Sequence, residues 1–299
     1  MKEWKILIII IILSVTVVCL LKYKRNELLY MLTDLSFVPI PLGNRLSHYC
    51  YGLALGRKSI KHISVLDPDT KITLPEKSYK LDKIKSVSFW ELYPLTCAEI
   101  ALNYVKPRVI KNKAEVERGV VRIHIRCSDT PYNRHNGYEF LKYNWYSRAL
   151  ALLRKHMTIR KIVIHLCTDH SLGVFMKITD ELCRQYSLGL REYLMEEGQK
   201  NVELQVSCNK VKYDFLMFQS ADGFISGGCG GSFSYFAGVL SSGRGIVLPM
   251  SNHPRVMERI GKEYMIRDGG WIISGGRIPH GDVDSYDNIG EVIDLCKCE

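Results

Sequence analysis

The chain has no Cys-x-x-Cys pair, although it carries ten cysteines in 299 residues. A structural zinc site built on paired thiolates is therefore not expected. It has no Walker A motif and no G-x-G-x-x-G, which argues against a nucleoside triphosphatase or a dinucleotide oxidoreductase. The body contains no N-x-S/T sequon, so glycosylation gives no sign of a lumenal location. Internal repeats and low-complexity runs are absent too, which excludes solenoids. Small-x-small spacing does not follow the amino-terminal apolar run, and Val18 rather than a small residue precedes Cys19. Neither a cleaved signal peptide nor a lipoprotein signal is supported.

What is present begins with that run. Ile6 to Leu21 carries no charge and is flanked by Trp4 and Tyr23. At sixteen residues, and with those interfacial flanks, it is just long enough to cross a bilayer core, whose lower limit is about 17 residues. A single retained membrane helix through residues 4 to 21 is expected, with residues 1–36 forming anchor and short stem. Two lysines precede the span and three cations follow it, too even a balance to orient it. Of the formal charge of +10, the body carries +8. A basic body suits an anionic partner such as a nucleotide phosphate. Its cations are spread along the chain rather than gathered into stripes interleaved with aromatics, so no nucleic-acid partner is expected.

Strand-like and helix-like runs alternate through the body. "VVRIHIRC", "KIVIHLC", "VELQVS", "GFIS" and "GIVLP" read as strands, the last closing the series. "YEFLKYNWYSRALALLRKH", "GVFMKITDELCRQY", "DFLMFQSA" and "SFSYFAGVLSS" read as helices. Apolar strands alternating with helices predict an α/β fold with parallel strands covered on both faces.

Two stretches carry candidate chemistry. In "VVRIHIRCSDTPYNRH", Val121, Ile123 and Ile125 alternate with Arg122, His124 and Arg126, so His124 and Arg126 share one face. Arg126 ends the strand and Asp129 follows in a loop, the place where ligands bind in open parallel sheets. A guanidinium there suits a phosphate, while an Arg–Asp pair tying the loop to the sheet is the structural alternative. In "KYDFLMFQSADGFISGGCGGSFSYFAG", Asp214 lies at a helix start. A glycine-rich turn at Gly227, Gly228, Gly230 and Gly231 then precedes Ser232, which opens the next helix. Such a turn presents backbone N–H groups to a phosphate, and Ser232 and Ser234 could add hydroxyls; a serine-capped flexible loop is the alternative. Thr168-Asp169-His170-Ser171 is an N-cap or a further rim contact.

Taken in order, these pieces resemble the α-1,2-fucosyltransferases, glycosyltransferase family 11, and the wider group that includes α-1,6 and protein O-fucosyl enzymes. "PLGNRLSHYCYGLALGRK", "HIRCSD", "LCTDHS" and "DFLMFQSADGFISGGCGGSFSYFAG" are similar to four family motifs, spanning Leu42 to Pro249. The resemblance implies a GT-B-like architecture of two Rossmann-type lobes, here 37–119 and 120–299, preceded by the transmembrane helix. It implies metal-independent, inverting transfer of fucose from GDP-fucose to a glycan galactose hydroxyl, with no cofactor beyond the donor and with a Golgi-lumenal body.

By position in those motifs, Arg126 would hold the donor β-phosphate, with Asp129 and Asn44 completing the catalytic set. His124, Asp169, Asp214, Ser232, Ser234 and Gly43 would bind the donor. Asp129, Asp169, Glu139 and His135 are the candidates for the base. Pro41, Arg45, Cys127, Tyr235 and Phe236 depart from the family pattern; Cys127 stands where a second arginine is usual. A protein that binds nucleotide or glycan without turnover, or that uses another nucleotide sugar, is the alternative. If residues 4 to 21 anchor the chain, deleting residues 1–36 moves the body from the carbonate-washed membrane pellet to the supernatant.

Overall fold

The computed structural model describes residues 101, 115–126, 140–167, 175–206, 211–227, 232–241, 243, 245–249, 263–267, 270–273, 293–294 and 296–297. The apolar run at 6–21 and nearly all of 37–119 lie outside these residues. Among the described residues, no helix is long and apolar enough to cross a membrane.

The chain alternates as the hydrophobic pattern predicts. β1 (Glu117–Arg126) leads to α1 (Tyr143–Arg154), β2 (Lys161–Cys167), α2 (Phe175–Glu196) and β3 (Val202–Val206). Then come α3 (Val211–Ser220), β4 (Ala221–Ser226), α4 (Ser232–Val239) and β5 (Gly245–Pro249). Two strands follow that the hydrophobic pattern does not reveal, β6 (Glu263–Arg267) and β7 (Gly270–Ile273). The sheet therefore does not close at β5. β7 pairs parallel to β5, and β6 returns antiparallel along β7. Met265 on β6 is exposed, so this strand lacks the continuous apolar run by which buried strands are recognised.

The sheet order is β3-β2-β1-β4-β5-β7-β6. The chain first builds outward from β1 through β2 to β3, then crosses back to place β4 on the other side of β1. That reversal makes the carboxyl ends of β1 and β4 the topological switch point, where a crevice opens in doubly wound sheets.

The alternation of β1 divides its side chains between two layers. Val121, Ile123 and Ile125 are fully buried with Tyr143, Trp145, Tyr146, Leu150 and Leu153 of α1 and with Leu182, Tyr186 and Leu190 of α2. Burying such side chains is worth about 1.5–3 kcal/mol each. Arg122 and His124 lie in the opposite layer, where the His124 ring meets Phe218 of α3 and Phe233 of α4.

Two helices differ in extent from the periodic pattern. α1 begins at Tyr143, later than the periodic pattern predicts, and just before it the Leu141 carbonyl accepts the Tyr186 hydroxyl at 2.6 Å. α2 runs ten residues beyond Tyr186. Gly189 is the contact point with α1: a Cβ there would lie 2.5 Å from the Tyr143 hydroxyl. The helix stops just before Gly198, whose φ of +80° suits a left-handed terminator.

Gly243, just before β5, has backbone where a side chain would go. A Cβ there would overlap the Ala221 carbonyl oxygen and lie 2.6 Å from that of Asp222. Gly243→Ala is expected to destabilise the protein by about 2–3 kcal/mol, through overpacking against atoms that cannot rotate away. Gly198→Ala, with nothing within 4 Å of its Cβ but a positive φ, costs about 1 kcal/mol. Urea unfolding of both variants checks the ranking.

Candidate functional site

Several sequence-predicted residues converge at the switch point. His124 and Arg126 occupy the end of β1, and His124 is in register with Ser226 on β4 and His165 on β2. Arg126 is half-buried. Arg122, two pleat repeats behind, is committed elsewhere: its Nη2 donates to both carboxylate oxygens of Glu117, at 3.0 and 2.9 Å. Of these two cations, Arg126 is the one carried at the carboxyl end.

β4 is locked onto β1 where the glycine-rich segment leaves it. The Gly227 N–H donates to the His124 carbonyl at 2.7 Å. The Tyr146 hydroxyl donates to the Gly227 carbonyl at 3.0 Å, and lies 3.0 Å from the Tyr186 hydroxyl. A Cβ on Gly227 would meet Ile125 Cδ1 at 2.6 Å and the His124 carbonyl at 2.9 Å. Glycine is required here by close approach. The segment thus departs from a fixed point, and α4 begins at Ser232, with its amide-rich end close in sequence to that point.

The His124 side chain bonds through Nδ1 to Ser234 Oγ at 2.5 Å. Ser234 is 1% exposed, so its hydroxyl acts on His124 rather than reaching outward. Burial pushes the His124 imidazole down to about 3, helped by the charges of His165 and Arg126. The ring is therefore neutral at physiological pH.

His165 sits beside it, fully buried, and neither ring nitrogen has a hydrogen-bond partner. Burial lowers its pKa; Asp214 opposes that shift and Arg122 adds to it. Asp214 lies in the first turn of α3, 4% exposed, with Oδ1 at 3.8 Å from His165 Nε2. That separation is electrostatic contact without a hydrogen bond. A carboxylate in a first turn is also favoured by the helix dipole.

The structure thus brings His124, Ser234, Asp214 and Arg126 to the α3–α4 side of the sheet. Ser232 opens α4 at backbone level. Asn44, Gly43, Asp129 and Asp169 lie outside the described residues, as do Glu139 and His135. Among the described residues, no group of three or more His, Cys, Asp or Glu is placed to hold a metal ion.

Two further contributors are not singled out by the sequence motifs. His165 has a usable signal: a polar ring inside "KIVIHLC", on a strand matching "VVRIHIRC" in pattern. Tyr146 has none, since it reads as one more apolar-face residue of α1. No family model, curated protein or solved structure matches this chain.

Both histidines hold fewer protons when folded than when unfolded. Their contribution to stability is complete above the ordinary value of 6.5 and is lost as pH falls from there, for His124 until about 3. The expected result is a melting temperature that declines between pH 6.5 and about pH 4. His165→Leu flattens part of that decline and leaves neutral-pH stability within about 1 kcal/mol, because the ring it removes makes no hydrogen bond. Thermal melts across that range check it.

Proposed function

We propose that the chain is a membrane-anchored glycosyltransferase that transfers fucose from GDP-fucose to a glycan galactose hydroxyl with inversion and without a metal. The observation that carries the proposal is the meeting of two ligand-type features at one switch point. A histidine and an arginine end β1, and a glycine-rich segment leaves the end of β4 and leads into α4. Open α/β sheets bind nucleotides at that position. A guanidinium and helix-terminal N–H groups suit a diphosphate.

The chemistry asks for little more on the donor side. Cleaving the bond from fucose to GDP leaves charge on the β-phosphate. Arg126 and the N–H groups opening α4 stabilise that charge as it develops. His124, neutral at the operating pH, contributes a hydrogen bond and not a second full charge. The acceptor hydroxyl loses its proton to a carboxylate or histidine of the loop after β1 or β2, where Asp129, His135, Glu139 and Asp169 lie in sequence. By the resemblance, Gly43 and Asn44 would complete the donor site; both lie outside the described residues.

Cys127, standing where the resembling family has a second arginine, favours a second reading: a binder of nucleotide or glycan that does not turn over.

Calorimetry of the full chain in detergent tests the donor site. GDP and GDP-fucose are expected to bind, with Arg126→Ala weakening both by about 10- to 100-fold, the worth of a charge-assisted contact. A folded protein that binds neither ligand overturns the donor assignment. Binding without transfer to any galactose-terminated acceptor favours the second reading.

A further inference from the structure

The His124–Ser234 contact fixes where the imidazole proton resides. The two side chains share a hydrogen bond of 2.5 Å between Nδ1 and Oγ. Among the described residues, neither side chain has another hydrogen-bond partner. The neutral pair carries two polar protons, one on the hydroxyl and one on the ring, and only two arrangements keep the bond. In the first, the hydroxyl donates to Nδ1 and the ring proton sits on Nε2. In the second, the Nδ1–H donates to Oγ, and the hydroxyl proton has no acceptor.

Burial decides between them. Ser234 is 1% exposed, so a hydroxyl proton without an acceptor would be stranded away from water. Such a donor costs about 1–3 kcal/mol. Nε2 is differently placed. It is absent from the buried polar atoms that lack a partner, whereas both nitrogens of the neighbouring His165 are among them. His124 as a residue is 6% exposed, and Nε2 carries part of that exposure. With the proton there, every buried donor of the pair is satisfied, and the remaining N–H belongs to the accessible nitrogen.

We infer that Ser234 holds His124 as the Nε2–H tautomer, so that the ring presents a hydrogen-bond donor to a phosphate oxygen at the carboxyl end of β1. The ligand part of this inference rests on the donor-site reading above; the tautomer part stands on the buried pair alone. Ser234 is a positioning residue that acts through His124. Its neighbours support the arrangement: Phe218 and Phe233 hold the ring at 4.8 and 5.8 Å between centroids. The Gly227 N–H fixes the His124 backbone at the same level.

The test is nitrogen NMR of the full chain in detergent micelles, labelled with 15N at histidine. His124→Gln identifies the His124 resonances by their loss. The expected spectrum places the ring proton on Nε2. Ser234→Ala redistributes it between the two nitrogens, Ser234→Thr restores it, and the His165 resonances stay in place in both as the control for folding. Adding GDP shifts the Nε2–H resonance of the unmutated chain. The dissociation constant for GDP rises about tenfold in Ser234→Ala, about 1.4 kcal/mol, and stays within about twofold in Ser234→Thr. Ser234→Ala adds nothing in the His124→Gln background.

A ring proton on Nδ1 in the unmutated chain overturns the inference. So does an unchanged distribution in Ser234→Ala. An Nε2–H tautomer that depends on Ser234 but ignores GDP upholds the positioning role and overturns the phosphate ligand.

Discussion

The hydrogen bond from the Gly227 N–H to the His124 carbonyl is the constraint on which the site depends. It joins the ends of two strands that are far apart in sequence and that belong to opposite halves of the sheet. The parallel ladder already sets Ser226 opposite His124, and this bond carries the pairing one residue further, into the glycine-rich segment. With it, that segment starts at the level of the residues ending β1. The bond requires an approach so close that no side chain fits on Gly227, and Tyr146 holds the other end of the same residue. The α1–α2 core thereby reaches through to the functional edge: Tyr146, Tyr186 and Leu141 form one hydrogen-bonded line from helix packing to the switch point.

The layer on the opposite side of the sheet is of another kind. His124, His165 and Asp214 are buried there among Phe215, Phe218, Phe224 and Phe233. Polar groups in such surroundings are held neutral unless paired. The two imidazoles accordingly sit below their ordinary range, and each positive charge they avoid spares the layer a desolvation cost. The arrangement places a neutral donor beside a fixed cation at one strand end. On the proposed reading, a phosphate bound there would take charge from Arg126 and direction from His124.

Part of the candidate site is legible in the sequence. The alternation of "VVRIHIR" assigns His124 and Arg126 to one face because strand side chains repeat every two residues. Glycines before a serine-rich helix start mark a turn for the same local reason. Ser234 is the residue whose sequence context misleads. A serine near a helix start reads as an outward donor, and only its neighbour across 110 residues of sequence, His124, reveals that its hydroxyl is occupied. The role of Gly189 is equally hidden in its own segment, since only the packed Tyr143 ring shows why no side chain fits there.

Periodicity and local chemistry act over a few residues. They suffice for the α/β class, the order of β1 to β5, the division of β1 into an apolar and a polar face, and the cation at its end. The sheet order lies beyond their reach, and with it the pairing of β1 with β4. So do the extension of the sheet by β6 and β7, the place of His165 beside His124, and the inward bond of Ser234. Each of these is a contact between segments distant in the chain. Their free energies come from shared burial and from hydrogen bonds that exist only after the layers have packed, so no local pattern encodes them.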